Sequence, residues 1–231
     1  MIIEKHLVRY LLICITTCSL VVLFRIGFAN SKDVFEKDHI LQKLQSSLEG
    51  IQDFSATIKQ EKCIAGFNST LVSSGLLKWK KPHKLFVRID PPDESQIFLS
   101  RELLWLYYPS EKIAEKYVLS GNQNLLDVFS FFALARLLRE KNENLTISDG
   151  DDYIILEIKP AAPILKQVIL WFSKKDLLLA KLELIEADGD KTVISYTDII
   201  INSNLPDDSF QFISPKGVSI SISKKQYPLW P

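Results

Sequence analysis

The stretch GLLKWKKPHKLFVRIDPPDES, residues 75–95, decides the fold because it contains two strands and the turn between them. Apolar and polar side chains alternate on both sides of Lys81-Pro82, which is the period of a strand with one buried face. This proline ends the first run, and the proline pair at 91–92 ends the second. The stretch therefore predicts two antiparallel neighbours, 71–80 and 84–90, joined by a short turn.

The same alternation runs through most of the remaining chain. Phe54, Ala56 and Ile58 alternate with polar residues before the quoted stretch. Short turns separate the later runs, and two of these turns contain Asp-Gly, which supplies positive backbone angles at low cost. Because short turns pair neighbouring strands, the pattern predicts a large, strongly curved antiparallel sheet. Its further strands are expected at 95–100, 103–108, 113–119, 145–148, 153–159, 165–172, 177–186 and 191–201.

Two helices are expected beside this sheet. Leucines recur at three- and four-residue steps within 33–49, and Gly50 follows as a helix stop. A second helix, 124–143, is apolar over more of its circumference than one buried stripe requires. It is interpreted either as a helix packed on the sheet or as a lid that covers a cavity and contacts lipid. Its candidate cavity-lining residues are Phe129, Phe132 and Leu137.

The N-terminal segment has the order of a secretory signal peptide. Basic residues precede an apolar run, 11–24, that is shorter than the roughly 20 residues needed to span a bilayer as a helix. Small residues at 27–29 suit a signal peptidase. The sequence therefore predicts a signal peptide, 1–29, followed by a single domain, 30–231, with an uncleaved membrane anchor as the alternative.

Charge and cysteine content exclude several classes of protein. The 231 residues contain 28 basic and 28 acidic side chains, so the chain lacks the positive charge of a nucleic-acid binder. Beyond the signal segment only Cys63 remains, and one cysteine forms no internal disulfide and builds no zinc site. Cys63 is interpreted as a small, partly buried apolar residue.

The sequence contains no recognisable catalytic constellation. It lacks a Gly-x-Ser-x-Gly elbow, a phosphate-binding glycine loop and a His-Glu-x-x-His motif. The histidines, His6, His39 and His83, have no nucleophile or carboxylate at motif spacing. The aspartates at 149–152 are interpreted as turn residues rather than calcium ligands. The chain is therefore predicted to be a binding protein that is not an enzyme and needs no cofactor or metal.

The order of several motifs resembles the LolA family of outer-membrane lipoprotein carriers. The strongest block, 75–109, carries a Gly-led strand, a basic-Pro turn, a Pro-x-Glu-Ser type of turn and a Leu-Trp-x-Tyr-x-Pro strand. A second block, NLPDDSFQFISPKGVSI at 204–220, is close to the closing Pro-x-x-x-Phe-x-Phe-x-x-Pro-x-Gly-Val of the family. The hairpin ISDGDDYIILEIKP at 147–160 also fits.

This resemblance implies an α+β fold: an unclosed, strongly curved antiparallel β half-barrel with an α-helical lid. It implies a periplasmic chaperone that holds lipoprotein acyl chains in an apolar hollow and carries them from the inner to the outer membrane. The implied partners are an inner-membrane ABC-type lipoprotein-releasing complex and an outer-membrane acceptor, with the carrier acting as a monomer. The alternative is a LolA-like module, anchored or free, that binds or senses a glycolipid or another acylated cargo.

The resemblance also assigns roles to residues of the quoted stretch. Lys81 stands where many family members have arginine, and it is the candidate latch for the lid in the cargo-free state. Arginine offers a planar fork of donors and lysine does not, so such a latch would be less directional here. Ser100-Arg101 replaces the usual Asp-Gly turn. The residues implied to line the hollow are Leu77, Trp79, Leu85, Val87 and Ile89.

Overall fold

The computed structural model describes residues 31–66, 69–119, 145–159 and 165–223. Helix α1 (Ser31–Gly50) comes first, and a short 3-10 helix (Asp207–Phe210) precedes the last strand. The strands are β1 (Asp53–Cys63), β2 (Thr70–Lys80), β3 (Lys84–Ile89), β4 (Ser95–Leu99), β5 (Leu103–Tyr108), β6 (Ile113–Val118), β7 (Leu145–Asp149), β8 (Tyr153–Ile158), β9 (Leu165–Ser173), β10 (Leu179–Glu186), β11 (Lys191–Ile201) and β12 (Ser219–Ser223). The second predicted helix, 124–143, lies outside the described residues.

Within the described residues the strands form one open sheet. Its order is β12-β6-β5-β4-β3-β2-β1-β11-β10-β9-β8-β7, so β12 and β7 are its two edges. The runs β2 to β6 and β7 to β11 pair antiparallel with their chain neighbours, as short turns require. The predicted fold class, an unclosed antiparallel-rich sheet with a helix, is confirmed. Strand β12 was not predicted, and it runs parallel to β6.

Two local predictions were wrong. Gly189 has a φ of +93° in its turn, as Asp-Gly predicts, but Gly150 does not have a positive φ. Its amide instead donates to the Tyr153 carbonyl at 3.0 Å, and this bond closes the turn without a left-handed residue. Cys63 is exposed rather than partly buried, because it alternates with buried Lys62 at the end of β1. Its Sγ lies 3.3 Å from Thr70 Oγ1.

The described residues cluster into two compact units. The first unit comprises those within Met1–Gly50, Gln60–Leu71 and Asp127–Ser195. The second comprises those within Ile51–Lys59, Val72–Leu126 and Tyr196–Pro231.

The first unit buries one face of its strands β8, β9 and β10. The register of β8, β9 and β10 aligns Ile154 with Phe172, and Leu156 with Leu170 and Leu182, so alternate residues share a face. Leu156, Phe172 and Leu184 on this face are each 0 % exposed. The opposite face carries polar pairs: Gln167 donates to Glu157, and Lys191 forms an ion pair with Glu183 at 2.6 Å.

The second unit holds its C-terminal segment through a buried carboxylate. Asp53 is 3 % exposed and accepts hydrogen bonds from Ser203 N, Ser203 Oγ and Asn204 N at 2.9 to 3.1 Å. A further hydrogen bond joins the same two segments, because Asn202 Oδ1 accepts from Gln52 N at 2.7 Å. These bonds fix the start of the segment that leads through the 3-10 helix to β12.

Candidate functional site

The residues predicted to line a hollow share one face of the second unit. Trp79 pairs with Leu85, Leu77 with Val87, and Gly75 with Ile89 in the β2–β3 ladder. Directly opposed residues of an antiparallel pair point to the same side of the sheet. We call this side the apolar face.

The apolar face continues over β4 and β5 in two rows that cross the strands. The first row is buried, with exposures of 2 to 8 %. In the second row, Leu77 and Val87 are half-buried, whereas its remaining members are buried. The first row is Trp79, Leu85, Leu99 and Leu104, and the second row is Leu77, Val87, Ile97 and Leu106.

The members of these rows from β4 and β5 were missed from sequence. The alternation of strands 95–100 and 103–108 contains the signal, since Ile97 and Leu99 have one parity and Leu104 and Leu106 have the other. Which parity faces the same way as Leu77 depends on the register between strands, and alternation within one strand does not give that register.

On β6 the apolar face becomes polar. Leu104 pairs with Tyr117 and Leu106 with Glu115, so both rows end on polar side chains. Both side chains are half-buried, and the Tyr117 hydroxyl donates to a Glu115 carboxylate oxygen. On β12, Ser221 is the partner of Glu115. The face is therefore amphipathic, with long apolar rows and a polar margin.

Gly75 explains why the quoted stretch begins with glycine. A Cβ at this position would lie 1.9 Å from the carbonyl oxygen of Arg88, which is backbone and cannot swing away. Only glycine allows β2 and β3 to approach this closely beside the apolar face.

The opposite face of the same strands carries an aromatic cluster. The ring of Phe212 lies 4.7 Å from that of Trp105, 5.3 Å from Tyr107 and 5.6 Å from Phe98, centroid to centroid. These separations are typical of favourable aromatic pairs. Packing therefore explains the Phe-x-Phe motif of the C-terminal block. Phe210 is buried, and Phe212 packs on the aromatic rings of the strands.

Comparison with known proteins identifies the family to which this architecture belongs. The family model described as "Outer membrane lipoprotein carrier protein LolA" matches residues 49–213. The chain belongs to the LolA family. The predicted resemblance is confirmed, and membership places the chain among carriers rather than enzymes.

Individual relatives of the chain are distant. An "Outer-membrane lipoprotein carrier protein" of Idiomarina loihiensis is 26 % identical over 203 residues, which cover 86 % of this chain and 96 % of the relative. One of Histophilus somni is 26 % identical over 186 residues, covering 80 % and 89 %. An uncharacterised conserved protein from Thermus thermophilus shares the fold, with a TM-score of 0.54 at 10 % identity, over 79 % of this chain and 98 % of that one.

The residues on either side of the turn after β2 form ion pairs and a hydrogen bond that the sequence does not indicate. Lys80 and Lys84 pair across the β2–β3 ladder, and both ammonium groups contact Asp207, at 2.8 and 2.6 Å. Lys80 Nζ also donates to the Leu205 carbonyl at 2.6 Å. Hydrogen bonds from Lys80 and then Lys84 lower the pKa of Asp207 to about 2. Both lysines are thus tied to the segment that follows β11.

Lys81 directly follows β2 and is half-buried. Its backbone amide donates to the Gln52 carbonyl at 2.8 Å. Phe129, Phe132 and Leu137 of the predicted lid lie outside the described residues. The latch and the lid both stay predictions. Ser100-Arg101 forms another kind of turn, in which Ser100 N donates to the Leu103 carbonyl at 2.8 Å.

A partly buried charge cluster lies in the first unit, in which Glu186 and Asp190 are buried and Asp188 is exposed. Carboxylate oxygens of Glu186, Asp188 and Asp190 lie within 4.8 Å of one another. The Lys62 ammonium is 3.5 Å from Glu186 and 3.3 Å from Asp190, so the chain supplies this cluster with its own cation. Burial raises the pKa of Glu186, and Lys62 opposes that rise. The sequence signal was parity, since Lys62 alternates in phase with Phe54, Ala56 and Ile58.

No helix in the described part of the chain is long and apolar enough to cross a membrane.

Proposed function

We propose that this chain is a periplasmic carrier that binds the acyl chains of lipoproteins against its apolar face and moves them from the inner to the outer membrane. The observation that carries the proposal is the second row, where Leu77 and Val87 remain half-buried beside a buried row. Half-buried apolar side chains at this position offer contact area to an acyl chain. Membership in the LolA family, which is periplasmic, and relatives named as lipoprotein carriers support it.

The energetics of lipid burial explain why such a carrier needs one membrane partner that loads the cargo and another that receives it. Burying one methylene group contributes about 0.8 kcal/mol, so two or three long acyl chains represent tens of kcal/mol as an upper bound. Free dissociation into water would be far too slow, since reversible association ends near about 20 kcal/mol. The carrier therefore receives its cargo from an inner-membrane ABC-type complex and delivers it to an outer-membrane acceptor, acting as a monomer.

Export is part of the proposal. Residues 1–29 act as a cleaved signal peptide, and residues 30–231 form the mature carrier in the periplasm. N-terminal sequencing of the exported form tests this step. An intact chain that stays with the membrane fraction would support the anchored alternative instead.

The lid and latch complete the proposed cycle. The apolar helix predicted at 124–143 covers the apolar face in the empty state, with Phe129, Phe132 and Leu137 as its contacts. Lys81 holds the lid closed, so Lys81→Leu favours the loaded form and slows transfer of a labelled lipoprotein to acceptor membranes. Lys166→Leu, at an exposed position of β9, is the control. Equal transfer rates for the two variants would remove Lys81 from the mechanism.

The decisive experiment replaces one methyl group in the second row by a hydroxyl. Val87→Thr keeps the shape of the side chain and adds a hydroxyl, which costs on the order of 1–3 kcal/mol in an apolar environment without a hydrogen-bond partner. We expect lipopeptide affinity to fall about tenfold, while the melting temperature changes little because Val87 is half-buried. The matched control is Val193→Thr, half-buried on β11 of the first unit.

Two outcomes would contradict the proposal. Unchanged affinity of Val87→Thr would show that acyl chains do not contact the second row. Mass spectrometry of lipids that co-purify with the mature protein distinguishes the cargo classes. Recovery of glycolipid without lipoprotein would favour the alternative module.

A further inference from the structure

The polar margin of the apolar face contains a carboxylate and a phenol hydroxyl, which apolar packing of the two rows does not require. Glu115 lies at the end of the second row, next to Leu106, and Tyr117 lies at the end of the first, next to Leu104. A half-buried carboxylate beside apolar side chains is costly unless a cation or several donors satisfy it. Among the described residues, Tyr117 is the donor to Glu115, and no lysine or arginine pairs with that carboxylate.

Two neighbours of Glu115 define its surroundings at the polar margin. Lys116, the next residue on β6, belongs to the opposite face, where its ammonium lies 5.4 Å from the Trp105 ring centroid. Ser221 on β12 adds a hydroxyl-bearing position in register with Glu115. Glu115 itself is in register with Leu106, the last apolar residue of the second row. That row crosses from β2 to β6, about 19 Å at the usual strand spacing, which suits an extended acyl chain.

We propose that Glu115, positioned by Tyr117, selects acylated cargo that carries a free, positively charged α-amino group at its polar end. This deepens the proposed function and rests on it, because the acyl chains must first lie on the apolar face. The cargo class is then a lipoprotein whose N-terminal cysteine is diacylated on its glyceryl group and keeps an unmodified amine. An ammonium group forms a charge-assisted hydrogen bond with the carboxylate. An acylated nitrogen offers only one neutral donor, and a phosphate is repelled.

The test uses the mature chain and two synthetic lipopeptides that differ only at the amine. One is a dipalmitoyl lipopeptide with a free N-terminal amine, and the other is its N-acetylated form. Titrations are run at about pH 6.5, where an α-amino group with a pKa near 7.7–8.0 is mostly charged. We expect the native chain to bind the free amine about tenfold more tightly, as one charge-assisted hydrogen bond allows. In Glu115→Gln this ratio should fall close to one, because binding of the free amine weakens far more than binding of the acetylated form.

Two further variants separate selection from folding. Glu111→Gln removes the same charge at an exposed position four residues earlier and should keep the tenfold ratio. Tyr117→Phe keeps the carboxylate but removes the hydroxyl that positions it, so the ratio should fall by a smaller factor, about threefold. If Glu115→Gln fails to fold, Tyr117→Phe still reports on the preference.

The possible results point to different conclusions. Equal binding of both lipopeptides by the native chain would overturn the headgroup proposal and leave acyl-chain binding intact. Binding of neither lipopeptide would overturn the proposed function itself. A third ligand, dipalmitoyl phosphatidylethanolamine, carries its ammonium next to a phosphate. Binding of this lipid as tightly as the free-amine lipopeptide would overturn the assignment to an α-amino group.

Discussion

The two units build their apolar faces in different ways. In the first unit, Leu156, Phe172 and Leu184 are each 0 % exposed, and the face they form is buried across β8, β9 and β10. In the second unit, the first row is buried to a similar degree, but Leu77 and Val87 of the second row are half-buried, and the row ends at Glu115. One face is a closed core on these strands, whereas the other combines a core with half-buried apolar side chains, which we propose contact acyl chains.

The difference shows how one sheet can provide both stability and exchange. A closely packed interior resists any change of volume, so a guest cannot enter it without a large cost. Half-buried apolar side chains can exchange a contact with solvent or protein for a contact with an acyl chain. A carrier needs both, because its fold must survive while its cargo comes and goes.

The opposite faces differ as well. In the first unit, the Lys181 ammonium lies 3.6 Å from the centroid of the Trp171 ring, and this half-buried face is otherwise joined by polar pairs. In the second unit, Phe212 covers aromatic rings with a segment from far along the chain. The second unit thus places its aromatic packing on the side away from the rows, so the rows themselves stay free of that segment.

The largest expected effect comes from a large-to-small substitution in the buried core of the first unit. Phe172→Ala removes a fully buried ring from the first unit and should lower the free energy of unfolding by about 3–5 kcal/mol. The measurement is urea denaturation followed by circular dichroism. Leu77→Ala in the second row is the comparison, and it should cost about half as much or less, since Leu77 has less apolar surface to lose. Similar losses in both variants would mean that the two faces are equally packed.

A smaller effect is expected from Glu186→Gln, and it should depend on pH. The pKa of Glu186 is raised in the folded protein, so the stabilisation linked to its proton is complete below the ordinary value near 4.5. That stabilisation is lost as pH rises through the folded-state pKa. Glutamine does not titrate, so the variant should gain stability relative to the native chain as pH rises from about 4.5 toward neutral. Thermal melts across this range measure the difference.

Lys62→Met sharpens this prediction. It removes the cation that faces Glu186 and Asp190, so two buried carboxylates repel each other without compensation. Its stability should fall more steeply with rising pH than that of the native chain. Parallel curves for Lys62→Met and the native chain would show that the cluster is solvated rather than buried.

Sequence alone predicted most strands of both units because their alternation is local. The strand at 103–108 and the strand at 191–201 have the predicted bounds, since each is set by its own apolar period and by turn residues at its ends. The fold class followed from short turns between neighbours. Strand β12 escaped prediction because its Ser-Ile alternation does not show that its partner is β6, about 100 residues earlier and parallel.

The site was predictable only in part, for the same reason. Leu77 and Val87 could be placed on one face because a single turn joins their strands. Placing Glu115 at the end of their row requires the register of three more strands, β4, β5 and β6. Asp207 lies more than 120 residues from Lys80 and Lys84, and nothing in the local pattern of either segment indicates the ion pair. Long-range pairing of charges leaves no period in the sequence.

The smallest expected effect is that of Asp207→Asn in the second unit. Asp207 is largely exposed, so solvent and salt screen its attraction to Lys80 and Lys84, and its loss should lower the melting temperature only slightly. Because its folded-state pKa is lowered to about 2 from an ordinary value of 3.8, the stabilisation is complete above about pH 4 and is lost as pH falls toward 2. Melting curves of the native chain and the variant should therefore differ near pH 7 in low salt and converge at high salt or near pH 2. Asp208→Asn, its exposed neighbour, controls for the loss of one charge. A difference that persists near pH 2 would show that Asp207 acts through packing of the 3-10 helix rather than through its ion pairs.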